Sequence, residues 1–435
     1  MKEVLRQLIV DFHGGAEPPI CRRDIEIPSF SPRIRKASVF IGMRRCGKTW
    51  LMYQHMRELA RAGVPREKLL HLNFEDDRLI PFSHKHFQSI LDAYFELYPQ
   101  FAGDNDIHFF FDEIHEIRGW EKFVRRVLDK ERAAVYLTGS SSKMLSKEIA
   151  TSLRGRTIST EVFPFSFREY LRSKGSMPGK TMTTKERNKT VGLFRDFLLY
   201  GGFPERIGSE TTVFSKLLQG YLDVVIYRDV VERHRVSNPH IVRELLAFCI
   251  QNCADLVSVL NIYNRFKSLG RSVSKNMLYE YMSYLEDAYC IYMVPIFTFS
   301  HAKKAVNPKK LYAVDQGLIT ACSVKPRFEE AMRFENTVFA ALRRRTEHIA
   351  YYKTRTGKEV DFVVGDPGGT THLIQACQTL SHPSTRKREL TALLEAMEEL
   401  DIDNGTILTL DETETVVEAG RTIAVQPLWE WLLTV

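Results

Sequence analysis

The feature that most constrains the fold is a phosphate-binding loop of the pattern G-x-x-x-x-G-K-T, formed by Gly42-Met43-Arg44-Arg45-Cys46-Gly47-Lys48-Thr49. An apolar run at residues 37–41 comes directly before it and predicts a buried strand. Apolar residues at helical spacing follow over residues 50–59 and predict a helix. Because backbone N–H groups and a helix N-terminus attract phosphate in this setting, the sequence predicts a site for a nucleoside triphosphate.

Separate tasks follow from the residue types within this loop. We expect Lys48 to reach the β- and γ-phosphates and the Thr49 hydroxyl to ligate Mg²⁺. The other positions of the loop expected to bind the nucleotide are Gly42, Arg44, Arg45, Cys46 and Gly47.

A second motif is an aromatic strand at residues 107–111 that ends in two carboxylates, Asp112 and Glu113. We expect Asp112 to hold Mg²⁺, often through water, and Glu113 to polarise the attacking water. Two adjacent carboxylates alone would be read as solvated loop charge. Their position after a phosphate loop instead predicts Mg²⁺-dependent hydrolysis.

Hydroxyl side chains end a third short strand at residues 134–138. Thr138 or Ser140 could sense the γ-phosphate or the attacking water. The same hydroxyls could equally cap a helix that begins near Lys143, and both roles are compatible.

Two arginines, Arg154 and Arg156, follow this strand and flank a glycine. An arginine from the same or a neighbouring subunit commonly neutralises charge on the γ-phosphoryl group in the transition state. The alternative is a surface pair that binds local carboxylates or nucleic-acid phosphate.

The composition predicts a cytosolic protein of several domains. A chain of 435 residues exceeds what one hydrophobic core usually organises, so about two to four domains are expected. Its net charge of +7 permits nucleic-acid contact without requiring it. The seven cysteines lack paired C-x-x-C spacing, the start lacks the apolar core of a signal peptide, and the most apolar run (residues 289–300) is too short to span a bilayer.

Patterning along the chain predicts an α/β protein with a parallel sheet, because strands alternate with helices over the first third. Together with the resemblances set out below, this patterning implies an N-terminal basic arm, a P-loop core of the AAA+ or RecA type, a helical lid or linker, a winged-helix-like domain and a C-terminal α/β nuclease-like domain, at residues 1–36, 37–167, 168–239, 240–315 and 316–435.

Taken together, the motifs resemble the AAA+-like ATPases of bacteria and archaea that pair a P-loop domain with a C-terminal domain of unknown function. Beyond the phosphate loop and Asp112-Glu113, the residues that carry this resemblance are Asn73-Phe74-Glu75-Asp76, Gly119-Trp120, Thr138-Gly139-Ser140-Ser141, Leu153-Arg154-Gly155-Arg156, Pro164-Phe165-Ser166-Phe167, Gly201-Gly202-Phe203-Pro204 and Glu359-Val360-Asp361-Phe362. The resemblance implies that the nucleotide is ATP. It also favours self-association, with one of the two arginines acting on a neighbouring subunit.

Residues 240–315 resemble a winged helix, in which Ser274 caps a helix that begins at Lys275. A basic hairpin is expected beyond this helix, with Lys303 and Lys304 in one part and Lys309 and Lys310 in another. Together with Arg271 and Lys275, the lysines at 303 and 304 are candidates for DNA phosphate contacts. Winged helices also dock proteins, so a protein-binding or structural role stays open.

The last domain suggests a second chemistry. Restriction-endonuclease-like folds place a helical Glu, a strand Asp and then Glu-x-Lys around Mg²⁺. Glu335 and Asp361 fit this pattern, but Gln375 stands in place of the acid and Cys377 in place of the lysine. We therefore expect a nuclease-like fold that has lost catalysis, or an unrelated α/β module.

The combined prediction is a Mg²⁺-dependent ATPase that acts as a switch or motor coupled to a C-terminal recognition half for DNA or protein. One alternative is a DNA-processing nuclease driven by ATP, with cleavage at Asp361. The other is a regulatory scaffold that binds ATP with little turnover.

Overall fold

The computed structural model describes residues 1–28, 35–104, 106–131, 133–139, 153, 155–208, 211–323, 329–365 and 371–435. They form two compact units, Met1–Val162 and Phe163–Val435. Two of the predicted site residues, Ser140 and Arg154, lie outside the described ranges. Within those ranges, no helix is both long enough and apolar enough to cross a bilayer.

The first unit is built on five parallel strands. These strands are Ala37–Ile41 (β1), Leu69–Asn73 (β2), His108–Asp112 (β3), Ala134–Thr138 (β4) and Thr157–Glu161 (β5). Their order in the sheet is β2-β3-β4-β1-β5, and every neighbouring pair is parallel. The α-helices of this unit are Lys2–Gly14 (α1), Lys48–Arg61 (α2), Phe87–Leu97 (α3) and Trp120–Arg126 (α4). The parallel sheet predicted from the sequence is confirmed.

Apolar cores cover both faces of this sheet, which explains why its central strands are continuously apolar. Val39, Phe109 and Phe111 pack into the core formed with α1 and α3. The alternate residues Phe40 and Phe110 pack into the core formed with α2. The alternation follows from the two-residue period of a strand.

The N-terminal region contains a helix that helps to complete the first of these cores. On α1, the side chains of Leu5 and Ile9 are fully buried and Leu8 is nearly so. Their i, i+3, i+4 spacing is that of an amphipathic helix. The segment predicted as a basic arm thus begins with a packed helix, and the apolar period, rather than the charge, decides its structure.

The strand order places the predicted site residues along one edge. The phosphate loop follows β1, Asp112 ends β3 and Thr138 ends β4, and these three strands are neighbours. Ligands of open parallel sheets bind beyond the carboxyl ends of the strands. The topology therefore supports a nucleotide site at this edge.

The second unit begins with helices and continues with two sheets. Its α-helices are Phe167–Ser173 (α5), Thr184–Tyr200 (α6), Thr211–Val224 (α7), Pro239–Gln251 (α8), Val259–Ser268 (α9), Lys275–Asp287 (α10), His301–Val306 (α11), Gln316–Cys322 (α12), Glu330–Arg343 (α13), Pro383–Leu400 (α14) and Leu428–Thr434 (α15). Its strands are Leu256–Val257 (β6), Ile291–Val294 (β7), Lys309–Ala313 (β8), Ile349–Lys353 (β9), Glu359–Gly365 (β10), Thr371–Ala376 (β11), Asn404–Thr409 (β12), Glu414–Glu418 (β13) and Arg421–Pro427 (β14).

These strands form an antiparallel three-stranded sheet and a mixed six-stranded sheet. The small sheet has the order β6-β8-β7, and the large one has the order β13-β14-β12-β11-β10-β9. In the large sheet, β12 is parallel to β11 and to β14, whereas the other pairs are antiparallel. Leu393 and Met397 of α14 pack on Val363 and Ile407 of this sheet. The C-terminal region is thus an α/β domain.

A close backbone approach explains the glycines at 201–202. The Gly202 carbonyl accepts a hydrogen bond from the Phe165 N–H at 2.7 Å, and the Gly202 N–H donates to Asp315 at 2.8 Å. A Cβ atom added at Gly202 would lie 2.1 Å from the Phe165 carbonyl oxygen. The buried carboxylate of Asp315 also accepts from the Gly317 N–H and so caps α12.

We expect Gly202→Ala to lower the free energy of unfolding by about 3 kcal/mol, because the new methyl group overlaps backbone that cannot move independently. Gly192→Ala is the matched control, since it lies on α6 with no atom within 4 Å of the added Cβ. It should leave stability unchanged or raise it by up to about 1 kcal/mol. Thermal unfolding of both variants checks this, and equal midpoints would contradict it.

Candidate functional site

Three side chains from different elements meet at the carboxyl edge of the first sheet. The Thr49 hydroxyl at the start of α2 donates to Asp112 Oδ2 at 2.7 Å. The Thr138 hydroxyl at the end of β4 donates to the other oxygen, Asp112 Oδ1. Thr138 also accepts from the Glu113 N–H at 2.8 Å. Thr138, predicted as one of two sensor candidates, is thus in contact with both predicted carboxylate positions.

Backbone conformation shapes the phosphate loop. Gly42 has φ 141° and Gly47 has φ 100°, while Arg45 has φ 68°. A Cβ atom at Gly42 would lie 2.3 Å from the Val162 carbonyl oxygen, so only glycine fits there. Lys48 is buried, and its ammonium donates to the carbonyls of Gly42 and Met43 at 3.1 and 3.3 Å. The loop therefore carries a positioned cation at its centre.

A residue of the N-terminal region braces this loop. The buried Arg23 guanidinium donates to the Cys46 carbonyl at 3.0 Å. Its backbone N–H and C=O both bond the Gln54 side chain of α2, at 2.6 and 3.2 Å. Sequence reasoning missed this role, because Arg23 is one of several arginines before β1 and no spacing sets it apart. Arg44, predicted as a nucleotide contact, lies 3.2 Å from Glu75.

Glu113 occupies an uncommon backbone conformation beside the lysine. It has φ 51° and ψ 37°, a region that few residues other than glycine adopt. Its carboxylate lies 4.0 Å from the Lys48 ammonium and 3.2 Å from His115 Nδ1. Burial raises the pKa of Glu113 to about 7, against the opposing effect of Lys48, and the Asp112 charge raises it further. A carboxylate with this pKa is matched to proton transfer near neutral pH.

We predict that kcat/KM for ATP rises with pH through an apparent pKa near 7, because protonated Glu113 cannot accept a proton from water. Below that pH the value should fall about tenfold per unit. A pH series of initial rates checks this, with Glu113→Gln as the control. A wild-type profile that is flat between pH 6 and 8 would contradict the assignment.

The predicted arginines are only partly described. Arg156 forms an ion pair with Asp129 of the same unit, and its carbonyl accepts from the Ala37 N–H at 2.8 Å. The described contacts of Arg156 are therefore made within its own unit.

In the second unit, the structure brings together all three residues predicted for a nuclease-like site. Glu335 of α13 and Asp361 of β10 both contact the ammonium of Lys310. The third residue, Gln375, accepts from the Asp361 N–H at 3.2 Å and donates to Glu389 at 2.7 Å. Across the described ranges, no group of three or more His, Cys, Asp or Glu side chains is arranged to hold a metal ion.

Comparison with known proteins identifies the family. A family model described as an AAA domain matches residues 34–171, and two models described as domains of unknown function match residues 191–327 and 332–431. An uncharacterized protein of Methanocaldococcus jannaschii is 34% identical over 445 residues, which span 100% of this chain and 96% of that protein. The chain belongs to the same family as this archaeal protein, and residues 34–171 carry an AAA domain.

Other similar proteins span less of the chain. An uncharacterized protein of Haemophilus influenzae is 28% identical over 326 residues, or 75% of this chain and 78% of that protein. Among solved structures, the Walker-type ATPase of Pyrococcus abyssi has a TM-score of 0.44 and 16% identity, and the match covers 71% of this chain and 99% of that one. The model at 332–431 names no activity, so the nuclease-like fold remains a prediction.

Proposed function

We propose that the chain hydrolyses ATP with Mg²⁺ at the edge where β1, β3 and β4 end. The observation that carries this proposal is the contact of Thr49 with Asp112, next to Lys48 and Glu113. A hydroxyl and a carboxylate held together beside a phosphate loop are the donors that Mg²⁺ takes in such sites. The match of residues 34–171 to an AAA domain supports the choice of substrate.

Each side chain has a defined task in this proposal. Lys48 and the loop N–H groups bind the β- and γ-phosphates, and Thr49 and Asp112 would hold Mg²⁺. When bound, Mg²⁺ neutralises phosphate charge. Glu113 orients a water molecule and accepts its proton. Thr138 fixes the positions of the Glu113 backbone and the Asp112 carboxylate through two hydrogen bonds.

The second unit supports a proposed coupling of ATP hydrolysis to DNA. The order α8, β6, α9, α10, β7, α11, β8, with a small antiparallel sheet, supports the proposal of a winged-helix-like domain. Lys275, at the start of α10, is exposed, as are Lys303 and Lys304 of α11. Arg271 instead forms two hydrogen bonds with Glu244, at 2.9 and 2.6 Å, so we assign the phosphate contacts to the three lysines.

The test is ATP hydrolysis by the purified chain with and without duplex DNA. We expect DNA to raise the rate, and this effect to shrink as salt increases, because phosphate contacts release counterions. Replacing Lys275, Lys303 and Lys304 with alanine should abolish the stimulation and leave the basal rate unchanged. Alanine at Lys185 and Lys189, which are exposed on α6, is the matched control.

The other outcomes are also informative. Turnover that DNA does not change would contradict the coupling to DNA and favour a protein partner for the second unit. Very slow turnover that Glu113→Gln does not change would contradict the ATPase proposal and favour a scaffold that binds ATP.

A further inference from the structure

In the second unit, a cluster of three carboxylate side chains surrounds the ammonium group of a lysine. The Lys310 ammonium lies 2.9 Å from Glu335 and 2.8 Å from both Glu359 and Asp361. Its side chain is only 2% exposed. Lys310 is the last lysine of the basic hairpin that the sequence predicts. It lies on β8, and its side chain is buried instead of turned toward solvent.

The charges of this cluster fit one ammonium. Burial and the neighbouring Asp361 raise the pKa of Glu335. Burial alone would lower the pKa of Lys310, but Asp361 and its neighbours raise it well above its usual value. Glu359 lies at the edge of the cluster with its side chain 31% exposed.

The distances also fit an ammonium. Separations of 2.8 to 2.9 Å between nitrogen and oxygen are those of charge-assisted hydrogen bonds. Magnesium and manganese would need carboxylate oxygens at about 2.1 Å. The remaining oxygen of Asp361 accepts from the Ala376 N–H at 2.9 Å, and Tyr312 donates to Glu335 at 2.7 Å. Each of these two acids thus accepts two hydrogen bonds from donors of the protein.

We propose that Lys310 is the resident cation of this site and takes the place that a divalent metal ion holds in a nuclease. The site then binds no divalent cation and supports no metal-dependent phosphodiester cleavage. Its role is to join β8 of the three-stranded sheet to α13 and to β10 of the six-stranded sheet. The sequence alternative of an ATP-driven nuclease acting at Asp361 is thereby disfavoured.

The first test measures Mn²⁺ binding to the nucleotide-free chain of 435 residues. The electron paramagnetic resonance signal of free Mn²⁺ reports how much of the ion remains unbound. We expect the wild type and Asp361→Asn to give the same titration curve, because no Mn²⁺ ion is held by Asp361. The comparison cancels any weak binding at Thr49 and Asp112. A site that is present in the wild type and lost in Asp361→Asn would overturn the proposal.

The second test measures how much the charge of Lys310 contributes to the stability of the chain. Lys310→Met keeps the side-chain length and leaves Asp361 buried without a cation, so the melting temperature should fall by about 10 °C. Lys309→Met, its half-buried neighbour on β8, should change the melting temperature by less than about 2 °C. Adding Asp361→Asn to Lys310→Met should restore part of the loss, because the uncompensated charge is then removed.

Two results would overturn this role for Lys310. One is a shift for Lys310→Met no larger than that for Lys309→Met. The other is a double variant whose loss equals the sum of the two single losses, which would show that Lys310 and Asp361 do not interact. If Lys310→Met does not fold, the Mn²⁺ titrations of the wild type and Asp361→Asn still decide the question.

Discussion

Replacement of Lys48 with alanine is expected to weaken ATP binding about 10- to 150-fold, since a charged hydrogen bond to phosphate contributes about 1.5 to 3 kcal/mol. The Lys48 ammonium is held by two loop carbonyls, at the position where the phosphates would lie. When ATP binds, the ammonium would exchange these carbonyl contacts for phosphate contacts. Lys48→Ala therefore removes a cation that the loop already holds in position.

Calorimetric titration with ATP and Mg²⁺ measures this loss. Lys122→Ala is the control, because it removes the same charge from an exposed position on α4. Circular dichroism should show that both variants keep the wild-type secondary structure. An unchanged dissociation constant for Lys48→Ala would refute the phosphate-loop assignment.

The second large effect is expected for Glu113→Gln. Glutamine has nearly the shape of glutamate but cannot accept the proton of the attacking water, so hydrolysis should slow by about 100- to 10,000-fold. Binding should persist, because the loop, Lys48 and the Thr49–Asp112 pair are untouched. Glutamine also removes the charge that Lys48 and His115 face, and ATP affinity should therefore stay equal or increase slightly.

Single-turnover hydrolysis and calorimetry on the same preparation separate these two effects. Glu121→Gln, on the first turn of α4, is the control for the loss of a nearby carboxylate. Equal loss of binding and of turnover in Glu113→Gln would assign Glu113 to nucleotide binding. Loss of turnover in the control as well would point to a general electrostatic effect.

The nucleotide site could be predicted from sequence because its parts are local. The eight residues of the loop follow one another in the chain, and Asp112 and Glu113 directly end an apolar strand. Strict local patterns of this kind are needed where backbone must wrap a phosphate, so they can be read without knowing the fold.

The contacts that were missed join residues far apart in sequence. Arg23 meets Cys46 over 23 positions, and Lys310 meets Asp361 over 51. The nuclease pattern expects an acid and, two residues later on the same strand, a lysine. In this sequence those two positions hold Gln375 and Cys377. The structure supplies the cation from β8, and only strand pairing and helix packing reveal that.

We propose that Glu113 and the phosphate loop together hydrolyse ATP. Release of phosphate by the purified chain tests this proposal most directly. Rates would be measured with ATP and Mg²⁺, with ATP and excess EDTA, and with Glu113→Gln in the presence of Mg²⁺. We predict steady turnover only in the first sample. Turnover by Glu113→Gln at the wild-type rate, or an equal rate in EDTA, would contradict the claim.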